Sequence, residues 1–347
     1  MQTFAQAIDS PERRELLPGS PDLHRIEHSV FGSWLNFRKG LRPRYALAWG
    51  EIAACIALVL GGFAGHLLWT SRRGNAFGFE IGLPFVLWIG FWLNAILTFG
   101  HEAAHYNLAH SHRSNDLLAD WTIWLFFPQT TRAYRRSHWQ HHLHLGDRQD
   151  TEISYHNCLS PWFLAKTLTG IHLARLLWRY VFGGHIRQSA LEASSARFAD
   201  HRAVEITPLL RSLATHFAII ASAIAFRCYA SAVVWLVSAA LVFPFFASVR
   251  QLLEHRAGEA ACETDFREVV HGPVNRMFGK DIFSRYFGAA GFNRHLLHHW
   301  DPTVSYTRFD EMQRFLAETE LRERIEEARS TYFATALLLY KKARGGN

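Results

Sequence analysis

Apolar and polar positions are distributed unevenly along the chain. Residues 1–44 are polar and close on a basic, aromatic patch, "WLNFRKGLRPRY". Two long apolar runs follow, at 45–69 and about 81–100, separated by a link containing "SRRGN". A second pair lies at 209–226 and 229–249, nearly without a loop at Arg227 and Cys228. At a rise of about 1.5 Å per residue, runs of this length cross a hydrocarbon core of about 30 Å. The pattern therefore predicts an all-α integral membrane protein with about four transmembrane helices in two hairpins. Arg211 and His216 make the third run the most polar of the four.

Two hairpins leave residues 1–44, 101–208 and 250–347 on one side. Arg38, Lys39, Arg42 and Arg44 precede the first run, against Arg72 and Arg73 in the opposite link. The positive-inside rule makes the large segments cytoplasmic. Within 101–208, "LLADWTIWLFFPQ" and "WFLAKTLTGIHLARLLWRYVF" are too short or too Arg-punctuated to span, and read as interfacial or partly re-entrant helices. The organisation expected is an N-terminal cytoplasmic arm (1–44), a membrane domain (45–307) and a C-terminal amphipathic helix (308–347), the last from apolar positions spaced three and four apart.

Composition fits this picture. The 347 residues include 12 Trp and 27 Phe, suited to membrane interfaces. The net charge of +7 sits beside apolar runs, which points to lipid headgroups rather than nucleic acid. The four cysteines (Cys55, Cys158, Cys228, Cys262) show no C-x-x-C and no paired spacing, so neither a disulfide scaffold nor a thiolate metal site is expected. The N-terminus has no apolar segment of the secretory kind.

The histidines carry the chemistry. Three clusters lie on the same expected side, each just past an apolar stretch: "HEAAH" (His101, His105), "HWQHH" (His138, His141, His142) and "HLLHH" (His295, His298, His299). Helical positions i, i+3 and i+4 share a face, so each cluster is expected to aim its rings at one point. His255, in "RQLLEHRAG" after the last run, stands level with them. Nine imidazoles exceed the three or four ligands of one zinc ion and suit two first-row metals. Read alone, HEAAH is the H-E-x-x-H motif of a zinc metalloprotease with Glu102 as base. Among so many imidazoles Glu102 reads instead as a group that orients a ligand ring.

With these boxes, the chain resembles the membrane-bound fatty acid desaturases, non-haem di-iron enzymes with H-x-x-x-H, H-x-x-H-H and H-x-x-H-H boxes. "RRSHWQHHLHLGDRQDTE" looks like the family's second-box region. "FNRHLLHHWDPTVSY" is similar to its third, with Asn293 before the box. The resemblance covers about 45–307. It implies two iron ions held by His101, His105, His138, His141, His142, His255, His295, His298 and His299, with no catalytic group beyond the metal centre. Where some members carry Asn to hold a water on the metal, this chain has Gln251, and Asn293 is a further candidate for a supporting role. His110, His112 and His144 lie near the boxes but are not assigned.

The implied reaction is O2-dependent removal of two hydrogens from adjacent carbons, the same site in relatives also hydroxylating. The implied substrate is a fatty acyl chain in a membrane lipid or thioester, or, in a minority branch, an amino-acid-derived small molecule such as dihydrorhizobitoxine. With no Rossmann fingerprint and no fused haem domain, electrons must come from a ferredoxin- or cytochrome-type partner. The expected setting is a bacterial inner membrane with the site facing the cytoplasm.

Overall fold

The computed structural model describes residues 17–171 and 206–344, apart from residue 267. Among these residues the structure is helical, with one minimal antiparallel hairpin pairing Glu27–His28 with Gly32–Ser33. Among the described residues four helices are long and apolar enough to cross a membrane: α1 (Tyr45–Arg73), α2 (Gly82–Ala104), then, after α3 (His112–Asp120), α4 (Thr131–His144) and α5 (Pro161–Leu168), α6 (Ile206–Ala225) and α7 (Tyr229–His255). Each begins within a few residues of the expected run. α2 and α7 extend past their runs at the C-terminal end, because the polar residues added there are buried in protein rather than left to lipid.

The helices are not equivalent. α2 is the inner one, with Ile89, Leu93, Ala95, Ile96 and Phe99 all buried, whereas α1 turns Leu60, Leu68 and Trp69 outward. α7 passes through a π-helical turn at Ser238–Val242 just ahead of Pro244. Proline has no N–H to give and crowds the preceding turn, and a widened turn absorbs both defects. Gly90 of α2 packs there: a Cβ on it would fall 2.8 Å from Cβ of Val242. Small size at Gly90 is what lets these two backbones approach.

Polar groups tie the bundle together at both ends. At the end opposite the histidine clusters, His66 of α1 bonds Ser231 of α7 at 2.8 Å through Nδ1 and the Gly78 carbonyl at 2.9 Å through Nε2. Asn75 donates to the Arg227 carbonyl and accepts from Ala230 N–H. Without such partners these groups would cost several kcal/mol in lipid. Arg211 and His216 of α6 find partners in the same way. Arg211 donates to the Gln129 carbonyl at 3.1 Å, and His216 lies between the Phe126 carbonyl and the Trp235 indole N–H. The stretch 121–129 therefore lies against α6, with Trp124, Phe126 and Phe127 buried and Trp121 exposed. Of the second stretch read as interfacial, α5 is its beginning, and the part beyond residue 171 lies outside the described residues.

α8 (Ile282–Phe287) and α9 (His295–Trp300), the third box, follow α7. The single C-terminal helix expected over 308–347 is instead three: α10 (Phe309–Ala317), α11 (Arg322–Glu327) and α12 (Tyr332–Ala343). Threonines break the periodicity. Thr319 Oγ1 accepts from Leu321 N–H, and Thr331 caps α12 by accepting from Ala334 N–H at 3.0 Å.

Two long-range links were not anticipated. The N-terminal arm covers the third box: Trp34 donates to Asp301 at 3.0 Å and Ser20 to the His299 carbonyl at 2.8 Å. Cys158 and Cys262 form a disulfide across 104 residues. Sequence spacing did not suggest it because its two segments meet only in the folded chain. Arg256 joins the same segments, donating to the carbonyls of Tyr155, His156, Ala260 and Ala261.

Candidate metal centre

The C-terminal ends of α2 and α7 and the short helices α4 and α9 bring nine buried histidines together at one end of the bundle. They fall into two groups whose ligand atoms lie within 4.8 Å of one another. One group is His101, His105, His138, His142 and His298; the other is His141, His255, His295 and His299. Here the structure corrects the expectation that each box aims at a single point. The second and third boxes each divide their rings between the two groups. Helical positions i and i+4 nearly eclipse, so His138 with His142, and His295 with His299, stay together. Neighbouring positions diverge by about 100°, which sends His141 and His298 to the other group.

The packing of ring nitrogens tests whether metals fit. Nε2 of His298 lies 2.8 Å from Nε2 of both His101 and His142, and His142 is also 3.0 Å from Nε2 of His138. In the second group, Nε2 of His295 lies 3.0 Å from that of His255 and 3.1 Å from that of His299. A neutral imidazole nitrogen offers one hydrogen or one lone pair, never both, so hydrogen bonds cannot satisfy such convergences. Both nitrogens of His105 and Nε2 of His141 are buried without a partner. A cation inside each group satisfies all of these lone pairs. Two groups of imidazoles, five and four, fit two first-row metal ions.

Carboxylates and a carbonyl behind the rings set their tautomers. Nδ1 of His138 bonds Glu152 at 2.9 Å, Nδ1 of His141 bonds Asp150 at 2.8 Å, and Nδ1 of His255 bonds the Val274 carbonyl at 2.9 Å. Each acceptor places the ring hydrogen on Nδ1 and leaves the Nε2 lone pair facing its group. Asp150 is itself held by the Tyr155 hydroxyl, which in turn accepts from Gly146 N–H at 2.8 Å. Asp150 and Glu152 were within "GDRQDTE", directly after the second box, and that closeness was the signal that could have assigned them.

Protonation follows from burial. Burial pushes His105, His142, His295, His298 and His299 well below the ordinary histidine value, and mutual repulsion among the rings adds to it. They are neutral, as metal ligands must be. Burial also disfavours charge on His141, but Glu152 and Asp150 outweigh it and push this ring up. Burial of Glu152 would raise its carboxyl, yet His141 and the bond to His138 hold it below the usual carboxylate range.

The three supporting residues expected from the sequence have definite places. Glu102 is fully buried and accepts from Ser305 Oγ at 3.1 Å and Tyr306 N–H at 3.3 Å, which fastens the loop after the third box to α2. Its nearer oxygen is 3.8 Å from Nδ1 of His101. Gln251 donates to Glu152 at 2.7 Å and accepts from Ser154 N–H at 3.2 Å. Both polar atoms of its amide are thus engaged, the nitrogen with Glu152 and the oxygen with Ser154, so it contacts the site through that carboxylate. Asn293 donates to the Gly279 carbonyl at 3.0 Å and secures the segment ahead of α9. His110, His112 and His144 stand apart, His110 against Tyr45, His112 on Tyr106 and His144 beside Asp147.

Other contributors were not foreseen. Arg135 of α4 donates to the carbonyls of Ala103 and Ala104 at the end of α2 and pairs with Asp116, so the first and second boxes share one clamp. Phe292 lies with its ring centroid 4.5 Å from that of His101 and 4.7 Å from that of His295, and the Arg250 guanidinium covers its other side at 4.0 Å.

Comparison with known families agrees with this geometry. The family model described as Fatty acid desaturase matches residues 77–334, well over half of the chain. The chain belongs to the fatty acid desaturase family. No curated protein matches it. Membership and the four apolar helices make this desaturase-family chain an integral membrane oxidoreductase.

Proposed function

We propose that this protein is an O2-dependent di-iron desaturase that introduces a C=C bond into a fatty acyl chain or an amino-acid-derived small molecule. The observation that carries this reading is the meeting of His101, His105, His138, His142 and His298 in one buried group and His141, His255, His295 and His299 in another. These nine residues would hold two iron ions. When bound, the iron pair supplies O2 activation and oxidation of unactivated C–H bonds.

The chain's own residues supply the rest. Glu152 and Asp150 hold the rings of His138 and His141 in the ligating tautomer. Arg135 fixes the end of α2 to α4, and Phe292 with Arg250 closes the site against water. Alkene formation from O2 draws two electrons from the C–H bonds and two from outside. An external donor of ferredoxin or cytochrome type meets that need, with the basic segments near the boxes offering an acidic carrier its docking charge. By the charge bias around α1 the site faces the cytoplasm, in a bacterial inner membrane.

Glu102 favours this reading over a zinc protease. One of its carboxylate oxygens is taken by Ser305 and Tyr306, which ties it to the loop after the third box, where a protease base would face the metal. The test is metal content together with product. About two irons per chain, and an O2-dependent loss of two hydrogens from a lipid or metabolite, are the expected results. Gain of one oxygen instead would make the enzyme a hydroxylase of the same family, and a single zinc would defeat the proposal.

A further inference from the structure

Between the start of α1, the segment 280–294 and the loop running from Tyr306 to Asp310, the surface opens into a cavity of ≈ 210 Å³. Four cations line it (Arg44, Lys280, Arg285 and Arg294) against two carboxylates, Glu51 and Asp310. The cations therefore share too few counter-charges. Lys280 and Arg294 both bind the one carboxylate of Asp310, at 2.5 and 2.9 Å. Glu51 takes Arg285 at 2.6 Å and the Tyr306 hydroxyl at 2.8 Å. Just outside, Glu311 binds both Arg44 and Arg308, which leaves the positive excess unchanged. Nε of Arg294 is buried without a partner. The 29-residue helix α1 also starts here without a side-chain cap, so its N-terminal dipole adds to the positive potential.

The inner wall is close to the histidines. It includes Phe99, two residues before His101, and Gly291 and Asn293, which flank Phe292. Phe292 is the ring that lies against His101 and His295. One layer of side chains thus separates the cavity from the two histidine groups.

We propose that this cavity seats the anionic head of the substrate, a carboxylate or phosphate, with the attached carbons directed past Phe99 toward Phe292. The inference rests on the oxidative reading above and narrows its substrate to an acidic amphiphile. Binding pockets for drug-sized ligands run from about 300 Å³ upward, so this one holds a head and a few carbons rather than a whole lipid. The mouth lies at the start of a membrane span, open both to an anionic lipid head and to a soluble acid.

The test uses the full chain in neutral phosphatidylcholine nanodiscs, titrated calorimetrically with hexanoate and with hexylammonium, beside a Lys280→Ala/Arg285→Ala variant. Both substituted side chains are more than half exposed, so the fold should persist. Iron content and thermal midpoint of the variant check that it does. The expected result is that hexanoate binds, hexylammonium does not, and the variant loses about tenfold or more in hexanoate affinity. Equal binding of the two probes, or unchanged hexanoate affinity in the variant, would overturn the proposal. Adding phosphatidylglycerol to the nanodisc identifies the source: competition with hexanoate supports a lipid head, and its absence supports a soluble acid. Because the titration reads binding, charge-selective binding in a protein that lacks two irons would sink the oxidative reading alone. Charge-blind binding in a protein that holds them would sink the anion site alone.

Discussion

One oxygen of Glu152 lies 2.9 Å from Nδ1 of His138, while the other takes the Gln251 amide at 2.7 Å. The carboxylate thereby links the second box to α7, one turn before His255. Replacing it removes both the tautomer lock and that link. Glu152→Ala should weaken metal binding about 10–100-fold, the usual effect of losing a carboxylate behind a ligand histidine. Competition against a chelator of known affinity measures this. Unchanged affinity would show that ring packing alone orients His138.

The division of the boxes makes His298 and His299 adjacent in sequence but members of different groups. His298→Ala removes a ring from the five-histidine group, and His299→Ala removes one from the four. Each variant should fall from about two irons per chain to about one. Spectra of the two residual irons should differ, since each variant retains a different site. Glu102→Gln should keep both irons, because that carboxylate is held by Ser305 and Tyr306. Loss of both metals from either single histidine variant would mean that the groups act as one.

Much of this was legible in the chain. Span length and apolar content located the four helices because lipid demands both, and the histidines stood out because i, i+3, i+4 spacing is also a geometric statement. What escaped was long-range. Nothing local pairs Trp34 with Asp301 across 267 residues, or Cys158 with Cys262 across 104. The split of the second and third boxes was readable in principle, since adjacent histidines on a helix cannot point the same way. The C-terminal segment misled because an i, i+3, i+4 pattern survives a turn when the helices on either side bury the same face. Thr319 and Thr331 were the signals that the helix stops there.

Acid should destabilise the metal-free protein. His105, His142, His295, His298 and His299 are held well below the ordinary 6.5 by burial. Below that pH the unfolded chain takes up protons that the folded chain refuses, so stability falls as pH drops. Each such histidine contributes at most about 1.4 kcal/mol per pH unit. His141, pushed up by Glu152 and Asp150, works in the opposite direction. The thermal midpoint of metal-free protein should therefore fall from pH 7 toward pH 5. A flat profile across that range would show that the rings are not kept neutral. Iron-loaded protein should lose metal over the same interval, as protons compete for the same lone pairs.

Arg250 and Glu254 form a buried ion pair at 2.6 Å, with the Tyr332 hydroxyl donating to the other Glu254 oxygen at 3.2 Å. The guanidinium lies over Phe292, and Phe292 lies against His101 and His295, so the pair is one ring removed from both histidine groups. Arg250→Leu strands a carboxylate among apolar neighbours and should cost about 3–5 kcal/mol. Arg250→Leu with Glu254→Leu removes both charges and should recover most of that loss, since desolvating a pair roughly cancels its attraction. Denaturation of the two variants in mild detergent compares them directly. If the double variant is no more stable than the single one, the positioning of Phe292, and not the charge pairing, is what Arg250 provides. Iron content then separates the roles further: a stable double variant with weakened iron binding would place the importance of Arg250 in holding Phe292 over the rings.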